Sequence, residues 1–270
     1  MGRAQPSTVT IMSWLVAEDR GQVRWLTIHR PDRKNAIPTD GWALLRDAFQ
    51  EFEGSPLRVL VLTGAGGDFC AGADLDPKRI DEFQSVADRH RRLKLVGSVA
   101  MALHRISKPT VAAVDGVAVG AGLNLALGCD IVVATDRARF SEIFVRRGLA
   151  VDSGGSWLLP RIVGLQRAKE MSLTGRIVDA AEAARIGLVT EVVSPDRLEA
   201  TVSDLTERIL QGAPLAQMLS KQMLNSSFGS SLADALAWEG EAQTVMLGTD
   251  DFREGLLSFL EKRDPDWRGR

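Results

Sequence analysis

The stretch that decides the fold is Asp115-Gly-Val-Ala-Val-Gly-Ala-Gly-Leu-Asn-Leu-Ala-Leu-Gly-Cys-Asp130. An apolar run from Thr110 to Val114 leads into it, and a second apolar run from Ile131 to Ala134 leads out of it. This order predicts a strand, a glycine-rich turn, a buried helix and another strand. Glycine lets backbone N–H groups approach a ligand without an intervening Cβ. Because the first turn of a helix also has free N–H groups and the positive end of the helix dipole, the stretch predicts a site for negative charge.

A second glycine-rich turn, from Gly64 to Asp74, follows another apolar run. Two such turns can direct a pair of N–H donors at one oxygen, which forms an oxyanion hole. An oxyanion hole stabilises an oxygen that becomes negative during a reaction, as when a thioester carbonyl turns into an enolate. We expect the N–H groups of Ala71 and Ala121 to be the two donors. Glycines that merely permit tight turns are the alternative interpretation.

The composition excludes several classes of protein. The chain has 270 residues, of which 45% are hydrophobic and 25% charged, and its formal net charge of -2 gives no electrostatic case for nucleic acid or membrane partners. No run is long enough to span a bilayer and no signal peptide opens the chain, so we expect a cytoplasmic protein. Cys70 and Cys129 are predicted to be small buried side chains, and the three histidines offer no metal-site spacing. Without tyrosine, a tyrosine acid is excluded.

The pattern of elements predicts an α/β core followed by a helical region. Strands alternate with helices through about residue 193, and the remainder reads as almost wholly helical. We therefore expect a flexible tail over residues 1–12, a core over 13–195 and a helical oligomerisation region over 196–270. The charged stretch 76–92 predicts a mobile, partly exposed helical flap, followed by a helix from Leu93 to Ile106.

Other ligand-binding and catalytic motifs fit less well. The run Gly120-Ala-Gly122 begins a dinucleotide fingerprint, but Leu125 occupies the place of its third glycine. A phosphate loop and a G-x-S-x-G nucleophile turn are both missing from the sequence. The histidines fall inside predicted strands or helices, where we expect packing or surface roles.

Several motifs together resemble the crotonase superfamily, the enoyl-CoA hydratases and isomerases. They are Arg30-Pro31, Asn35-Ala36, Phe69-Cys-Ala-Gly-Ala-Asp-Leu75, Lys108-Pro109, Gly120-Ala-Gly122, Ala126-Leu-Gly-Cys-Asp130, Gly154-Gly155, Leu159-Pro-Arg-Ile-Val-Gly164, Thr174-Gly175, Gly187-Leu-Val189 and Glu261-Lys-Arg263. The resemblance implies a spiral of ββα units and a C-terminal helical trimerisation region, often in a dimer of trimers. It implies that the Ala71 and Ala121 N–H groups hold the thioester oxygen of an acyl-CoA. Coenzyme A is then part of the substrate, and no cofactor or metal is expected.

The sequence departs from the hydratases of this family at both acid positions. Those enzymes resemble one another in using two glutamates, and here the corresponding positions are Asn124 and Phe144, neither of which can move a proton. Asp152 is the best remaining candidate for the base, and its placement is similar to that in the ring-1,2-epoxyphenylacetyl-CoA isomerases. One carboxylate can take a proton from C2 or C4 of an enoyl thioester and return it at the other end. The alternative is that Asp152 only caps a helix.

These departures leave several functions open. We favour double-bond isomerisation of an enoyl-CoA through Asp152. A hydratase that uses Asp152 and water is the second candidate, and nucleophilic use of Asp152, as in the dehalogenases, is the third. The alternative that is not an enzyme is a catalytically weak paralogue that binds acyl-CoA. Glu142 ranks lower as a catalytic residue, because on a helix it would point to a different side than residue 144.

The remaining site residues are expected to bind the substrate. The coenzyme A phosphates need cations, and the candidates include Arg30, Lys34, basic residues between 76 and 94, and Lys262 of a neighbouring subunit. Asn124 could orient a water or the substrate through its amide. The full substrate-binding set is Arg30, Lys34, Ala73, Asp74, Leu75, Gly120, Asn124, Phe144 and Lys262.

Overall fold

A computed structural model describes residues 8–75 and 85–270. Within these residues ten strands form two sheets, and apolar, β-branched runs supply most of them. The strands are β1 (Thr8–Met12), β2 (Leu15–Arg20), β3 (Val23–Ile28), β4 (Val59–Gly64), β5 (Thr110–Val114), β6 (Val117–Val119), β7 (Ile131–Thr135), β8 (Arg139–Ser141), β9 (Val178–Asp179) and β10 (Glu191–Val193).

The larger sheet has seven strands in the order β1-β2-β3-β4-β5-β7-β10. The β1–β2 and β2–β3 pairs are antiparallel, whereas β3, β4, β5, β7 and β10 run parallel. The smaller sheet is ordered β6-β8-β9. The parallel strands β4 and β5 are buried on both faces, as their continuous apolar sequences require. The glycine-rich turn from Gly64 to Asp74 follows β4 of the larger sheet, whereas β6 of the smaller sheet lies inside the other predicted turn and leads directly into Gly120.

In the described ranges, ten α-helices accompany the strands, and short 3-10 turns occupy Pro31–Arg33, Ile143–Arg147, Pro195–Arg197 and Ser227–Gly229. The helices are α1 (Trp42–Gly54), α2 (Val86–His104), α3 (Ala121–Leu127), α4 (Gly155–Val163), α5 (Leu165–Thr174), α6 (Ala180–Arg185), α7 (Leu198–Leu210), α8 (Pro214–Ser226), α9 (Leu232–Met246) and α10 (Asp250–Glu261). Every residue of α3 is buried, as its apolar sequence predicts. The predicted α/β fold class is confirmed.

Two boundaries predicted from the sequence are wrong. The predicted flexible tail includes β1, in which all five residues pair with β2. Four consecutive β-branched residues, from Thr8 to Ile11, and a turn at Ser13 (φ 61°) favour this hairpin. The helix expected from Leu93 begins at Val86, because the Ser85 hydroxyl accepts the Asp88 N–H and caps it. The rest of the predicted flap, residues 76–84, lies outside the described residues.

The chain divides into two compact units. The first comprises residues 1–106 and 110–202, and the second comprises residues 107–109 and 203–270. The division thus falls after Val202 rather than after the predicted boundary at residue 195. The first unit has one apolar core, in which the large side chains of Trp42, Phe49, Phe69 and Phe140 are at most 2% exposed.

The second unit is helical, as predicted. Its α9 begins with a capping box, in which Ser231 and Asp234 satisfy each other's backbone N–H groups. The buried Asp251 carboxylate accepts the N–H groups of Arg268 and Gly269 and so holds the C-terminal segment. Large apolar side chains remain exposed on these helices, which agrees with the predicted oligomerisation role without testing it. None of the described helices combines the length and apolar character needed to cross a membrane.

Candidate active site

The two glycine-rich turns adjoin each other. Cys70 donates its N–H to the Val117 carbonyl (2.8 Å) and accepts the Val119 N–H (3.1 Å), which joins the first turn to β6. A Cβ on Gly72 would lie 2.9 Å from the Val119 carbonyl oxygen and 3.5 Å from the Ala121 nitrogen. Only a residue without a side chain allows this approach, and Gly72 also has a positive φ of 88°. The close packing of the turns is therefore a direct consequence of glycine.

The structure contradicts the role predicted for Ala71. Its N–H donates to the Lys34 carbonyl at 2.9 Å, so this group is not available to an oxyanion. Ala73 is better placed to donate to an oxyanion. In its bridge to Ile37, the Gly72 carbonyl accepts the Ile37 N–H and the Asp74 N–H donates to the Ile37 carbonyl. The Ala73 N–H therefore points away from Ile37. Among the described residues, no acceptor pairs with the Ala73 N–H. In a regular extended segment the N–H groups of residues 71 and 73 would point to the same side, but the positive φ of Gly72 between them (88°) breaks that regularity. No local sequence pattern therefore distinguished the two N–H groups.

The other predicted donor is where the sequence placed it. Ala121 is the first residue of α3, and no acceptor in the described parts of the chain pairs with its N–H. The preceding Gly120 has φ 56° and ψ -127°, a combination that only glycine adopts readily. The ring of Phe144 would lie 3.6 Å from a Cβ on Gly120, so this buried side chain borders the turn. Phe144 thus contributes an apolar wall where a hydratase of the family would have an acid.

Asn124 connects α3 to the loop that carries Asp152. Its side chain is only 2% exposed, and its Nδ2 donates to the Asp152 carbonyl oxygen at 2.9 Å. Its Oδ1 is buried and has no hydrogen-bond partner in the described structure. The start of α4 packs on this amide, because a Cβ on Gly155 would lie 2.6 Å from Oδ1 and 2.7 Å from Cγ. Asn124 therefore positions the backbone of Asp152.

The carboxylate of Asp152 does not cap a helix. The N-cap of α4 is Gly154, which has no side-chain cap, and the Gly155 N–H donates to the backbone carbonyl of Asp152 at 3.0 Å. In the described structure, the Asp152 carboxylate accepts one side-chain hydrogen bond, from Ser153 Oγ to Oδ1 at 2.9 Å. Burial raises the pKa of Asp152, an effect that the Ser153 bond partly opposes. The capping alternative is therefore wrong, and the carboxylate is free to act on a ligand.

Glu142 is the residue that sequence reasoning placed wrongly. It follows strand β8 directly and precedes a 3-10 turn, rather than lying on a helix. Glu142 is 0% exposed, as are Phe140 and Ser141 before it, so its side chain is buried. Its Oε2 lies 3.5 Å from Asn124 Nδ2, and its Oε1 has no partner in the described structure. Burial is the main cause that raises the pKa of Glu142 to about 7; the Asn124 hydrogen bond opposes it and the nearby Asp152 carboxylate acts in the same direction as burial.

The predicted phosphate-binding cations differ in their availability. The Arg30 guanidinium donates to Asp74 (2.9 Å) and to the Ala36 carbonyl (2.5 Å), so Arg30 and Asp74 brace the chain instead of facing a ligand. The Lys34 side chain is 62% exposed, with its Nζ 3.8 Å from the Asp68 carboxylate. Leu75 is 60% exposed beside the end of the first turn. Lys262 ends α10 in the second unit with φ 54°.

The packing of Gly155 on Asn124 makes a stability prediction. We expect Gly155→Ala to lower the free energy of unfolding by about 2 kcal/mol, because the added methyl overlaps an amide that is fixed by its own hydrogen bond. Asn124→Ala should remove most of that penalty. A double-mutant cycle measured by urea unfolding checks the coupling. If the two effects simply add, the contact between these residues is not what constrains the loop.

Comparison with known proteins shows the family of the chain. The family model described as enoyl-CoA hydratase/isomerase matches residues 18–270. The chain is 34% identical over 262 residues to the 1,2-epoxyphenylacetyl-CoA isomerase of Escherichia coli (strain K12), covering 96% of this chain and 100% of that protein. It is 36% identical over 252 residues to the short-chain-enoyl-CoA hydratase of Clostridium acetobutylicum, covering 92% and 95%.

A solved structure has the same fold. The enoyl-CoA hydratase/isomerase from Cupriavidus metallidurans CH34 superposes with a TM-score of 0.87 at 37% identity, covering 96% of this chain and 98% of that one. Fold, turns and sequence motifs therefore agree along nearly the whole chain. The protein is a member of the enoyl-CoA hydratase/isomerase family, the crotonase superfamily, and an enzyme of the crotonase type.

Proposed function

We propose that this enzyme moves the double bond of an enoyl-CoA between the C3–C4 and C2–C3 positions, with Asp152 as the single base. Asp152 removes a proton from the carbon next to the double bond, and the electron pair moves into the thioester to form an enolate. The N–H groups of Ala73 and Ala121 stabilise the enolate oxygen. The same carboxyl then returns the proton at the other end of the conjugated system, so that no redox or metal cofactor takes part.

The observation that carries the proposal is the state of the Asp152 carboxylate. It neither caps α4 nor pairs with a cation in the described structure, and burial raises its pKa. A base with a raised pKa is better matched to proton removal from carbon than a solvated carboxylate. The 34% identity to a protein named 1,2-epoxyphenylacetyl-CoA isomerase adds support.

Hydration of a 2-enoyl-CoA is the second candidate reaction, and one observation favours it. Hydration needs a base for the water and an acid for C2, and paired carboxyl groups supply both. Buried Glu142 gives the site a second carboxyl beside Asp152. Relatives named as hydratases are about as similar to the chain as the isomerase is. Nucleophilic use of Asp152 and a mere acyl-CoA-binding role rank below both reactions.

One assay separates these functions. We expect 3-enoyl-CoA incubated with the enzyme in deuterated buffer to give 2-enoyl-CoA, with little 3-hydroxyacyl-CoA formed from either isomer. Proton and deuterium NMR of the products measures both outcomes. Dominant 3-hydroxyacyl-CoA would assign the enzyme as a hydratase. Tight acyl-CoA binding without turnover of either isomer would favour the binding paralogue.

The assembly proposed for this function is a homotrimer or a dimer of trimers. The exposed apolar side chains of α8, α9 and α10 support a covered face in the second unit. The Lys262 of a neighbouring subunit then remains a candidate for the coenzyme A phosphates, together with the exposed Lys34. Sedimentation of the purified enzyme distinguishes the trimer from the hexamer.

A further inference from the structure

We propose that Glu142 is a positioning residue whose neutral side chain, connected to Asp152 through the Asn124 amide, keeps the site at one negative charge during proton transfer. This inference rests on the proposed function, because it assigns a role in the proton transfer that Asp152 performs. It concerns a carboxyl group outside the two positions where hydratases of the family carry their glutamates.

Two buried oxygen acceptors, one on Asn124 and one on Glu142, lack donors in the described structure. Asn124 uses one Nδ2 hydrogen for the Asp152 carbonyl and directs the other at Glu142 Oε2, at 3.5 Å. Asn124 Oδ1 and Glu142 Oε1 are both buried without a donor in the described structure. An ionised Glu142 only accepts hydrogen bonds, whereas a protonated one brings an O–H donor. Because unmatched buried acceptors are costly, the neutral form suits this pocket better.

The charged groups around Glu142 also favour its neutral form. Asp152 is the charged side chain that acts on it, and helix α3, which packs from the other side, contains no charged residue. Arg146 and Arg147 follow in the chain but are exposed, and Arg146 Nε donates to the Thr174 carbonyl. In the described residues, no cation lies within ion-pair distance of Glu142. Burial without a cation holds the proton on this carboxyl, and the negative charge of Asp152 acts in the same direction.

The reaction itself explains why the neutral state is the productive one. Before proton transfer, the charge of the site lies on Asp152. After transfer, Asp152 is neutral and the charge lies on the enolate oxygen, so the total remains minus one. An ionised Glu142 would add a second buried negative charge, and it would lack the O–H donor beside the Asn124 amide that holds the Asp152 backbone. Deprotonation of Glu142 should therefore slow turnover even though Asp152 stays ionised.

The pH dependence of turnover tests this role. With a Glu142 pKa of about 7, kcat/KM of the wild type should fall about 20-fold between about pH 6.5 and pH 8.5. In Glu142→Gln the side chain is neutral at every pH, so kcat/KM should be nearly the same at the lower and the higher pH. Glu142→Leu removes the polar contact with Asn124, so we expect its kcat/KM to be lower than that of Glu142→Gln. Circular dichroism establishes whether each variant folds, and the glutamine profile is decisive by itself.

A direct titration separates this inference from the proposed reaction. Carbon-13 NMR of the carboxyl groups, assigned by comparison with Glu142→Gln, should show Glu142 titrating near neutral pH and shifting downward in Asp152→Asn. An unchanged alkaline decline in Glu142→Gln, or a Glu142 that titrates near an ordinary glutamate value, would overturn the role. Loss of turnover in Glu142→Gln at every pH would also overturn it, because Glu142 would then transfer the proton itself. If the wild type converts no enoyl-CoA, the proposed function fails, while the coupled titration still supports the pairing.

Discussion

Asp152→Asn is expected to lower kcat for enoyl-CoA isomerisation by about 1,000-fold, the usual contribution of a positioned general base. Asparagine has nearly the same shape, so the Ser153 contact and the backbone bond to Asn124 can persist. KM should therefore change by no more than about threefold, since the loss lies in the transition state. Steady-state kinetics with 2-enoyl- and 3-enoyl-CoA measures both quantities.

The matched control for this variant is Asp130→Asn. The Asp130 carboxylate accepts the Thr110 N–H (2.7 Å) and hydroxyl (2.9 Å) and holds the start of β5, away from any proposed chemistry. We expect the Asp130→Asn variant to have a slightly lower melting temperature, and its kcat should stay within about twofold of the wild-type value. If Asp152→Asn turns over like this control, Asp152 is not the base and the proposed mechanism is wrong.

Gly122→Ala is expected to lower the free energy of unfolding by about 3 kcal/mol and to abolish most turnover. A Cβ at this position would overlap the Cys70 carbonyl oxygen and lie 2.8 Å from the carbonyl carbon and 2.9 Å from the Cys70 Cβ. These are mainly backbone atoms, fixed by the bridge between Cys70 and Ala118, so they cannot simply rotate away. The methyl group should push apart the turns that carry the Ala73 and Ala121 N–H groups. Chemical denaturation and kinetics at saturating substrate check both effects.

Gly97→Ala gives the matched control for the glycine replacement. Gly97 lies in the interior of α2, and a Cβ there would meet nothing within 4 Å. Alanine is the better helix former, so this variant should gain about 0.5–1 kcal/mol of stability. Kinetics should match the wild type. A Gly122→Ala variant as stable and active as Gly97→Ala would show that the turns tolerate a wider separation.

The sequence predicted the elements well where the local pattern is strong. The apolar runs around Asp115–Asp130 predicted β5, the buried α3 and β7, because buried strands and helices need continuous apolar residues. The boundary errors at β1 and α2 have a common cause. Pairing with a neighbouring strand or a capping serine determines where these elements begin, and the periodicity of side chains carries little of that information.

By itself, the sequence determined the α/β class and the family, and it predicted Asp152 as the base in place of Asn124 and Phe144, since these depend on residue identity at motif positions. Only the tertiary structure decided which N–H groups are available and which carboxyls meet. The Ala71 N–H is donated to Lys34, which leaves Ala73 beside the turn of Ala121. Glu142, directly after strand β8, lies in the same buried pocket as Asn124. Hydrogen-bond partners and burial arise from segments far apart in the chain, so no local pattern specifies them.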